Sequence, residues 1–334
     1  MKASIYDVAK RAGLSVVTVS RVLNNESTVR EKNRLKVLEV MKELDYHPKA
    51  AARSLAKGKT NLIGMMLSTL DDSFFDAVIK EISDRLAAKG YYLTLAVDSD
   101  LSPMLFQEDR VDGVILLSPL NEIAYMRELD KRKIPYILID HQHPAPSVSS
   151  IVVDNYAGSV IAANHLLELG HKEIAHITGP PLFLSSRERE RGFRHAMQEA
   201  GLAPFAVLPG EFQIASGLEA ADRWLATGRL PTAVFAADDY TAIGVICALQ
   251  AAGVRVPQDV SVIGFDDQVI ASQYRPALTT IRQPAEPIGR QAVDIMLATL
   301  QGELPAPAKV ELKPELVVRA STAKPRGMGE ERRQ

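Results

Sequence analysis

At 334 residues the chain has room for two or three domains and a sizeable core, while its single cysteine excludes a disulfide framework and any multi-cysteine metal site. No apolar run of about 18 residues exists to span a membrane, and no charged segment followed by an apolar one opens the chain, so a soluble, cytoplasmic protein is expected. The net charge of −2 hides an asymmetry: residues 1–60 hold 13 Lys and Arg against 6 Asp and Glu, net +7, and the remainder holds 26 against 35, net −9. A basic head on an acidic body suggests that the head alone meets a polyanion.

In the head, Ser4 to Leu23 reads SIYDVAKRAGLSVVTVSRVL. Ile5 and Tyr6 open a short helix with Val8 and Ala9 on its apolar side. Gly13 ends it with a tight turn, and Ser15 N-caps a second helix. On that helix Val19, Val22 and Leu23 form one apolar stripe, leaving Val16, Val17, Ser20, Arg21 and Asn24 facing elsewhere. Two short helices joined by a glycine turn are either a helix-turn-helix reader of the major groove or an ordinary helical hairpin with solvated polar groups. The coincident basic excess favours the reader. Val29 to Tyr46 reads as a third helix with Leu35, Leu38, Met41 and Leu44 on one face, which closes a three-helix headpiece over residues 1–47. Residues 48–60 follow as a hinge, rich in helix formers but too short and too polar to fold by itself.

From Leu62 the texture changes to alternating strands and helices. Strands are expected at LIGMML, YYLTLAV, VDGVILLS, PYILID, EIAHITG, TAVFAADD and VSVIGFDD. Helices are expected over 74–90, 121–132, 154–169, 187–200, 214–226, 242–252 and 285–300. Two terminal strands end near Arg319. Such repeats argue parallel sheets with helices on both faces, and about 260 residues are large for one sheet, so two lobes are expected. The N-lobe is expected at about 61–152 and 283–312, and the C-lobe at about 153–282 and 313–323. The last residues, TAKPRGMGEERRQ, read as disordered, with the tail proper at 324–334. Cys247 lies in the apolar run VICALQAAG and reads as core.

Several strings stand in order along the chain: IYDVAKRAGLSVVTVSRVLNN, LDYHPKAAARSLAKGKTNLIG, VVDNYAGSVIAANHLLELGHKEIAHITGP, SSRERERGF, AVFAADDYTAIGVICALQAAGVRVPQDVSVIGFDD and LTTIRQPAEPIGRQAVDIML. With these the chain resembles the lactose-repressor (LacI/GalR) family of transcription regulators over nearly its whole length. The resemblance implies a small all-α helix-turn-helix headpiece plus an α/β two-lobed, periplasmic-binding-protein-like core with parallel sheets. It implies a DNA-binding repressor whose operator affinity is set by a small molecule, expected to be a sugar, bound between the lobes. No cofactor and no metal are implied. The partners implied are double-stranded DNA with a near-palindromic operator, the effector and a second copy of the chain.

For the DNA end, the resemblance places the base-reading positions at Val16 and Val17, which can only pack, best on a thymine methyl. Arg21 can grip a guanine edge. Tyr6, Ser15, Thr18, Ser20, Asn24, Asn33 and Tyr46 match phosphate-contact positions, which fix register. Asn33 stands where the family leads one to expect threonine. In the hinge, Leu55 matches the minor-groove wedge, flanked by Ala52 and Ala56, unless it packs on its own headpiece.

For the ligand end, cleft candidates fall at carboxyl ends of strands, where α/β proteins bind ligands. Asp140 ends PYILID, Asp238 ends TAVFAAD and Asp266 ends VSVIGFD. Arg189 sits in SSRERERGF, Phe74 follows the first strand, and Phe212 follows the PGE turn. Carboxylates and an Arg among aromatic faces suit a polyhydroxy ligand. Asp238 stands where the family often has asparagine, which weakens the case for an anionic ligand such as a sugar phosphate unless Arg187 or Arg189 compensates, and helix capping is its alternative role. Asp154 reads as a cap. The segment between about 98 and 111 is shorter than the family's, so the N-lobe is expected to lack a full helix there. His141 and His143 mimic a metal pair but lack a third ligand at set spacing, and no Walker, nucleophile-elbow or dinucleotide motif is present, so no enzyme is expected. A transport binding protein is the second rival, disfavoured by the DNA-reading head. A purine corepressor or a phosphorylated carrier protein remains open as the effector.

Overall fold

The computed structural model describes residues 3–24, 26–47, 59–69, 73–97, 110–143 and 147–326. The hinge positions Ala52, Leu55 and Ala56 and most of the short segment after residue 97 lie outside the described residues. The chain divides into two compact units, Met1–Asn61 and Leu62–Gln334.

The first unit holds α1 (Ile5–Ala12), α2 (Val16–Leu23) and α3 (Glu31–Glu43). Ser4 and Asp7 cap α1 reciprocally: the Asp7 carboxylate accepts from the Ser4 N–H at 2.8 Å, and the Ser4 hydroxyl accepts from the Asp7 N–H. Gly13 ends the helix at φ +63°, a left-handed backbone that a side chain would strain. The Ser15 hydroxyl accepts from the Thr18 N–H at 3.1 Å, as expected for the α2 cap.

Val8 and Ala12 of α1, Val19 and Val22 of α2, and Val37 and Val40 of α3 close the headpiece core. The expected stripe on the third helix is therefore corrected. Leu35 is 60% exposed and Leu38 50% exposed, while Val37 and Val40 are buried and Met41 and Leu44 partly so. A ladder of i+3 steps rotates by about −60° at each step, so it winds off any one face; positions 37, 40, 41 and 44 keep the helical phase. The third helix is also shorter than 29–46. Arg34 donates from Nη2 to the Glu26 carbonyl at 2.7 Å, pinning the preceding loop to α3.

The second unit is built on two six-stranded sheets. Its strands are β1 (Leu62–Leu67), β2 (Tyr92–Val97), β3 (Gly113–Leu117), β4 (Tyr136–Ile139), β5 (Ser150–Val153), β6 (Ile174–Ile177), β7 (Ala206–Leu208), β8 (Ala233–Ala236), β9 (Ser261–Asp266), β10 (Thr279–Arg282), β11 (Lys309–Leu312) and β12 (Glu315–Val317). The first sheet runs β11-β5-β4-β3-β1-β2, with every pairing parallel. The second runs β12-β10-β9-β8-β6-β7, parallel except for the edge pair β10–β12. Continuous apolar runs such as GVILL and YILI are buried at every position because helices cover both faces.

Among the described residues, eight helices serve that covering: α4 (Ser73–Ala88), α5 (Glu122–Arg132), α6 (Asn155–Glu168), α7 (Leu184–Glu199), α8 (Ile214–Thr227), α9 (Asp239–Ala251), α10 (Val269–Gln273) and α11 (Ala285–Gln301). On the first sheet, Ile82 of α4 and Met296 of α11 pack one face, and Leu129 of α5 packs the other. On the second, Trp224 of α8 and Leu249 of α9 pack one face, and Leu166 of α6 and Phe193 of α7 the other. Each such side chain contributes about 1.5–3 kcal/mol when fully buried.

The sequence expectations omit β5, β7, β10 and α10, all of five residues or fewer, and start α7 and α9 about three residues late. The disordered tail is corrected as far as Arg326. Ser321 is fully buried and donates to the Val262 carbonyl at 2.6 Å, and Thr322 meets His165 at 2.9 Å. The Ala323 N–H donates to Ser261 at 3.0 Å, and Arg326 pairs with Asp259 at 2.6 Å.

Candidate functional site

On the head, the turn and caps leave one face of α2 open. Tyr6 is 69% exposed and Val17 60% exposed, and Arg21 is also exposed. Arg21 reaches Glu26 at 3.5 Å, an exposed pair worth little and readily exchanged for another acceptor. Val16 is half-buried and packs on the headpiece core, which corrects its expected outward position. Ser20, Asn24 and Asn33 are half-buried, and Tyr46 packs partly against the core. The Ser15 and Thr18 hydroxyls lie 2.9 Å apart and serve the cap.

In the second unit, carboxyl ends of strands from both sheets converge on one cavity of about 300 Å³. Ser118 and Asp140 follow β3 and β4 of the first sheet; Asp238 follows β8, Asp266 ends β9 and Gln283 follows β10 of the second. All six expected effector positions, Phe74, Asp140, Arg189, Phe212, Asp238 and Asp266, line it.

Arg189, on the second turn of α7, is 4% exposed, and each of its three side-chain nitrogens donates to a partner. Its Nε donates to Asn155 Oδ1 at 2.9 Å, Nη1 to the Ala237 carbonyl, and Nη2 to Asp266 Oδ1 at 3.1 Å. The guanidinium lies 3.7 Å from the Phe265 ring centroid and 5.7 Å from that of Phe212. Phe212 holds its place because Gly179 leaves room: a Cβ there would stand 2.2 Å from the Phe212 ring. Phe183 packs on Phe212 at 6.1 Å between centroids.

The carboxylates outnumber the cation. Arg189 neutralises Asp266, which also accepts from the Gln283 side chain. Asp238 caps α9, accepting from the Thr241 N–H at 3.1 Å and the Tyr240 N–H at 3.2 Å, and still lines the cavity. Burial, then the Asp266 charge, pushes the Asp238 carboxyl up to about 6. Burial also raises Asp140, opposed by the Ser118 hydroxyl and by Arg189. Asp239 points away from the ligand role: it is buried, accepts from the Gln268 N–H at 2.7 Å and the Thr280 hydroxyl, and burial holds it well above the usual carboxylate range.

Four cavity residues that are not glycine, Ser118, Asp140, Phe212 and Asp266, have positive φ, from +45° to +106°. Such strain concentrates at ligand sites and costs on the order of 1–3 kcal/mol each.

Sequence reading missed Asn155, Phe265, Ser118, Gln268 and Gln283. Asn155 and Phe265 stand directly beside positions singled out, Asp154 and Asp266. Asp154 is a cap, as expected, accepting from the Ala157 N–H at 2.8 Å. His143 pairs with Glu122 at 3.1 Å, His141 is separately buried, and among the described residues no group of three or more His, Cys, Asp or Glu is placed to hold a metal. Among them, too, no helix is long and apolar enough to cross a membrane.

Comparison with known proteins agrees with this geometry. The family described as bacterial regulatory proteins, lacI family, matches residues 4–49, and a periplasmic binding protein-like domain matches residues 163–322. The transcriptional regulator DegA of Bacillus subtilis is 35% identical, covering 97% of this chain and 99% of its own. The transcriptional repressor PurR of Edwardsiella ictaluri is 37% identical, covering 96% and 97%. The crystal structure of the Lac repressor dimer bound to operator and the anti-inducer ONPF superposes with a TM-score of 0.86 at 30% identity, covering 97% of this chain and 100% of that one. These relatives are regulators, not enzymes. The chain belongs to the lacI family: it is a DNA-binding transcriptional repressor with an effector-binding core.

Proposed function

We propose that the chain represses transcription as a homodimer on a near-palindromic operator and that the effector in its cleft is an uncharged sugar. α2 enters the major groove. Val17, with Val16 behind it, packs on base edges, and Arg21 supplies the hydrogen-bonding readout. Tyr6, Ser15, Thr18, Ser20, Asn24, Asn33 and Tyr46 fix register on phosphates, and Ala52, Leu55 and Ala56 of the 48–60 hinge meet the minor groove. The lobes, about 61–152 with 283–312 and about 153–282 with 313–323, close on the ligand. A ligand shifts operator affinity only through its different affinities for the two states.

The observation that carries the sugar is the charge balance of the cleft. Arg189 pairs directly with Asp266 and reaches Asp140 and Asp238 only through space, so among the described residues these two cavity-lining carboxyls have no ion pair of their own. Hydroxyl donors satisfy such carboxyls, whereas a phosphate is repelled. Phe74 and Phe212 offer flat faces to a sugar's C–H surface. The test is fluorescence anisotropy on DNA upstream of the protein's own gene, at fixed salt, with mono- and disaccharides, their phosphates, and purines. A neutral sugar that moves the midpoint supports the reading. A response to phosphosugars alone refutes it, and one to purines alone replaces it with a purine corepressor stacked between the same rings.

A further inference from the structure

We infer that Gln142, held by the first sheet's side of the core, caps helix α7 of the second sheet's side and thereby sets how readily the cleft opens. Helix α7 opens without a side-chain cap of its own. Its N-cap position is Phe183, which forms no side-chain cap hydrogen bond. The first N–H groups of the helix therefore lack a local acceptor.

The acceptor comes from 42 residues away: Gln142 Oε1 accepts from the Leu184 N–H at 2.8 Å. The rest of Gln142 is fixed by its own side of the cleft. Its Nε2 donates to Ser118 Oγ at 3.1 Å and to the Asp140 carbonyl at 2.9 Å. Its N–H donates to the Glu122 carboxylate, a side chain only 1% exposed. Its carbonyl accepts from Arg187 Nη2 at 3.2 Å. Gln142 is thus a buried residue with two bonds leading across the cleft, from its side-chain Oε1 to Leu184 and from its main-chain carbonyl to Arg187. Both lie on the helix that presents Arg189 to the ligand.

Moving the lobes apart breaks both bonds, so each weights the closed arrangement roughly two- to tenfold. The contact itself stands on geometry; its consequence for regulation rests on reading the cleft as the effector site.

Hydrogen exchange on the full-length protein, with no added ligand, tests the contact, and small-angle scattering tests the opening. Gln142→Met keeps the bulk and removes the acceptor. Exchange over residues 184–187 is expected to rise roughly two- to tenfold and the radius of gyration to increase, with β8 and β9 unaffected. Adding Phe183→Ser gives α7 a cap of its own on the Ser185 and Ser186 amides: their protection is expected to rise, while the Leu184 amide stays fast and the larger radius persists. Wild-type exchange in Gln142→Met, or altered exchange with an unchanged radius, overturns the proposal. Should Gln142→Met fail to fold, an unprotected Leu184 amide in the wild type overturns it, and a larger radius in Arg187→Met, which removes the second bond across the cleft, supports it. A confirmed contact in a protein whose DNA binding no sugar alters would refute the effector reading alone.

Discussion

Replacing Asp238 with Asn isolates one part of the electrostatic load of the cleft. The wild-type carboxyl titrates near 6 in the folded protein, against 3.8 as the ordinary value. A raised carboxyl favours the protonated form of the fold, so its stabilisation is complete below pH 3.8 and is lost as pH rises through 6. At 1.36 kcal/mol per unit the full swing is about 3 kcal/mol, of which about 2 kcal/mol falls between pH 4.5 and 7.5. Asn removes that titration and preserves the cap on the Thr241 N–H. Urea denaturation of both proteins at the two pH values gives the difference directly. Histidines 141, 165, 171 and 176 titrate below their ordinary value in both proteins and cancel in the subtraction. The wild type is expected to lose about 2 kcal/mol relative to Asp238→Asn on going to pH 7.5. A difference that stays constant to within about 0.5 kcal/mol would refute the reasoning, because Asp238 would then be as well solvated in the cleft as in the unfolded chain.

Arg189→Met leaves Asp266 buried without its cation, and is expected to cost about 3–5 kcal/mol in urea denaturation at pH 7, partly recovered by adding Asp266→Asn. Gly179→Ala drives a Cβ against the Phe212 ring and Ser186, so melting is expected to show a loss of about 1–3 kcal/mol, with weakened effector response and intact operator binding. Arg21→Ala is expected to lose about 1–3 kcal/mol of operator binding by anisotropy and to relax one base position; an equal loss on random DNA would reduce it to a phosphate contact.

The features that were legible in the sequence are those whose causes are local. The Gly13 turn and the Ser15 cap each depend on residues within four positions, and both stand as expected. β1, β3 and β9 announce themselves as unbroken apolar runs ending at polar groups, because a strand covered on both faces has no polar side to show. Leu35 and Leu38 misled because leucine is apolar wherever it sits, and only helical phase decides which apolar residue faces inward. The cleft was half legible. Its carboxylates lie at strand ends, a position that topology alone predicts. What disciplines them is long-range: Asn155 stands 34 residues from Arg189, Asp266 stands 77, and Gln142 caps a helix 42 residues on. No spacing rule joins such pairs: the packing of α6 and α7 on the second sheet brings Asn155, Arg189 and Asp266 together, and the approach of the two sheets' sides brings Gln142 to Leu184. Those same pairs give α7 its consequence. One end of the helix is terminated by the first sheet's side, and its second turn holds the guanidinium that the second sheet's side clamps. A ligand that alters the distance between the sheets therefore acts twice on the first two turns of one rigid element. A displacement of a few ångströms is sufficient to break a 2.8 Å hydrogen bond outright, because such bonds do not stretch far before they fail.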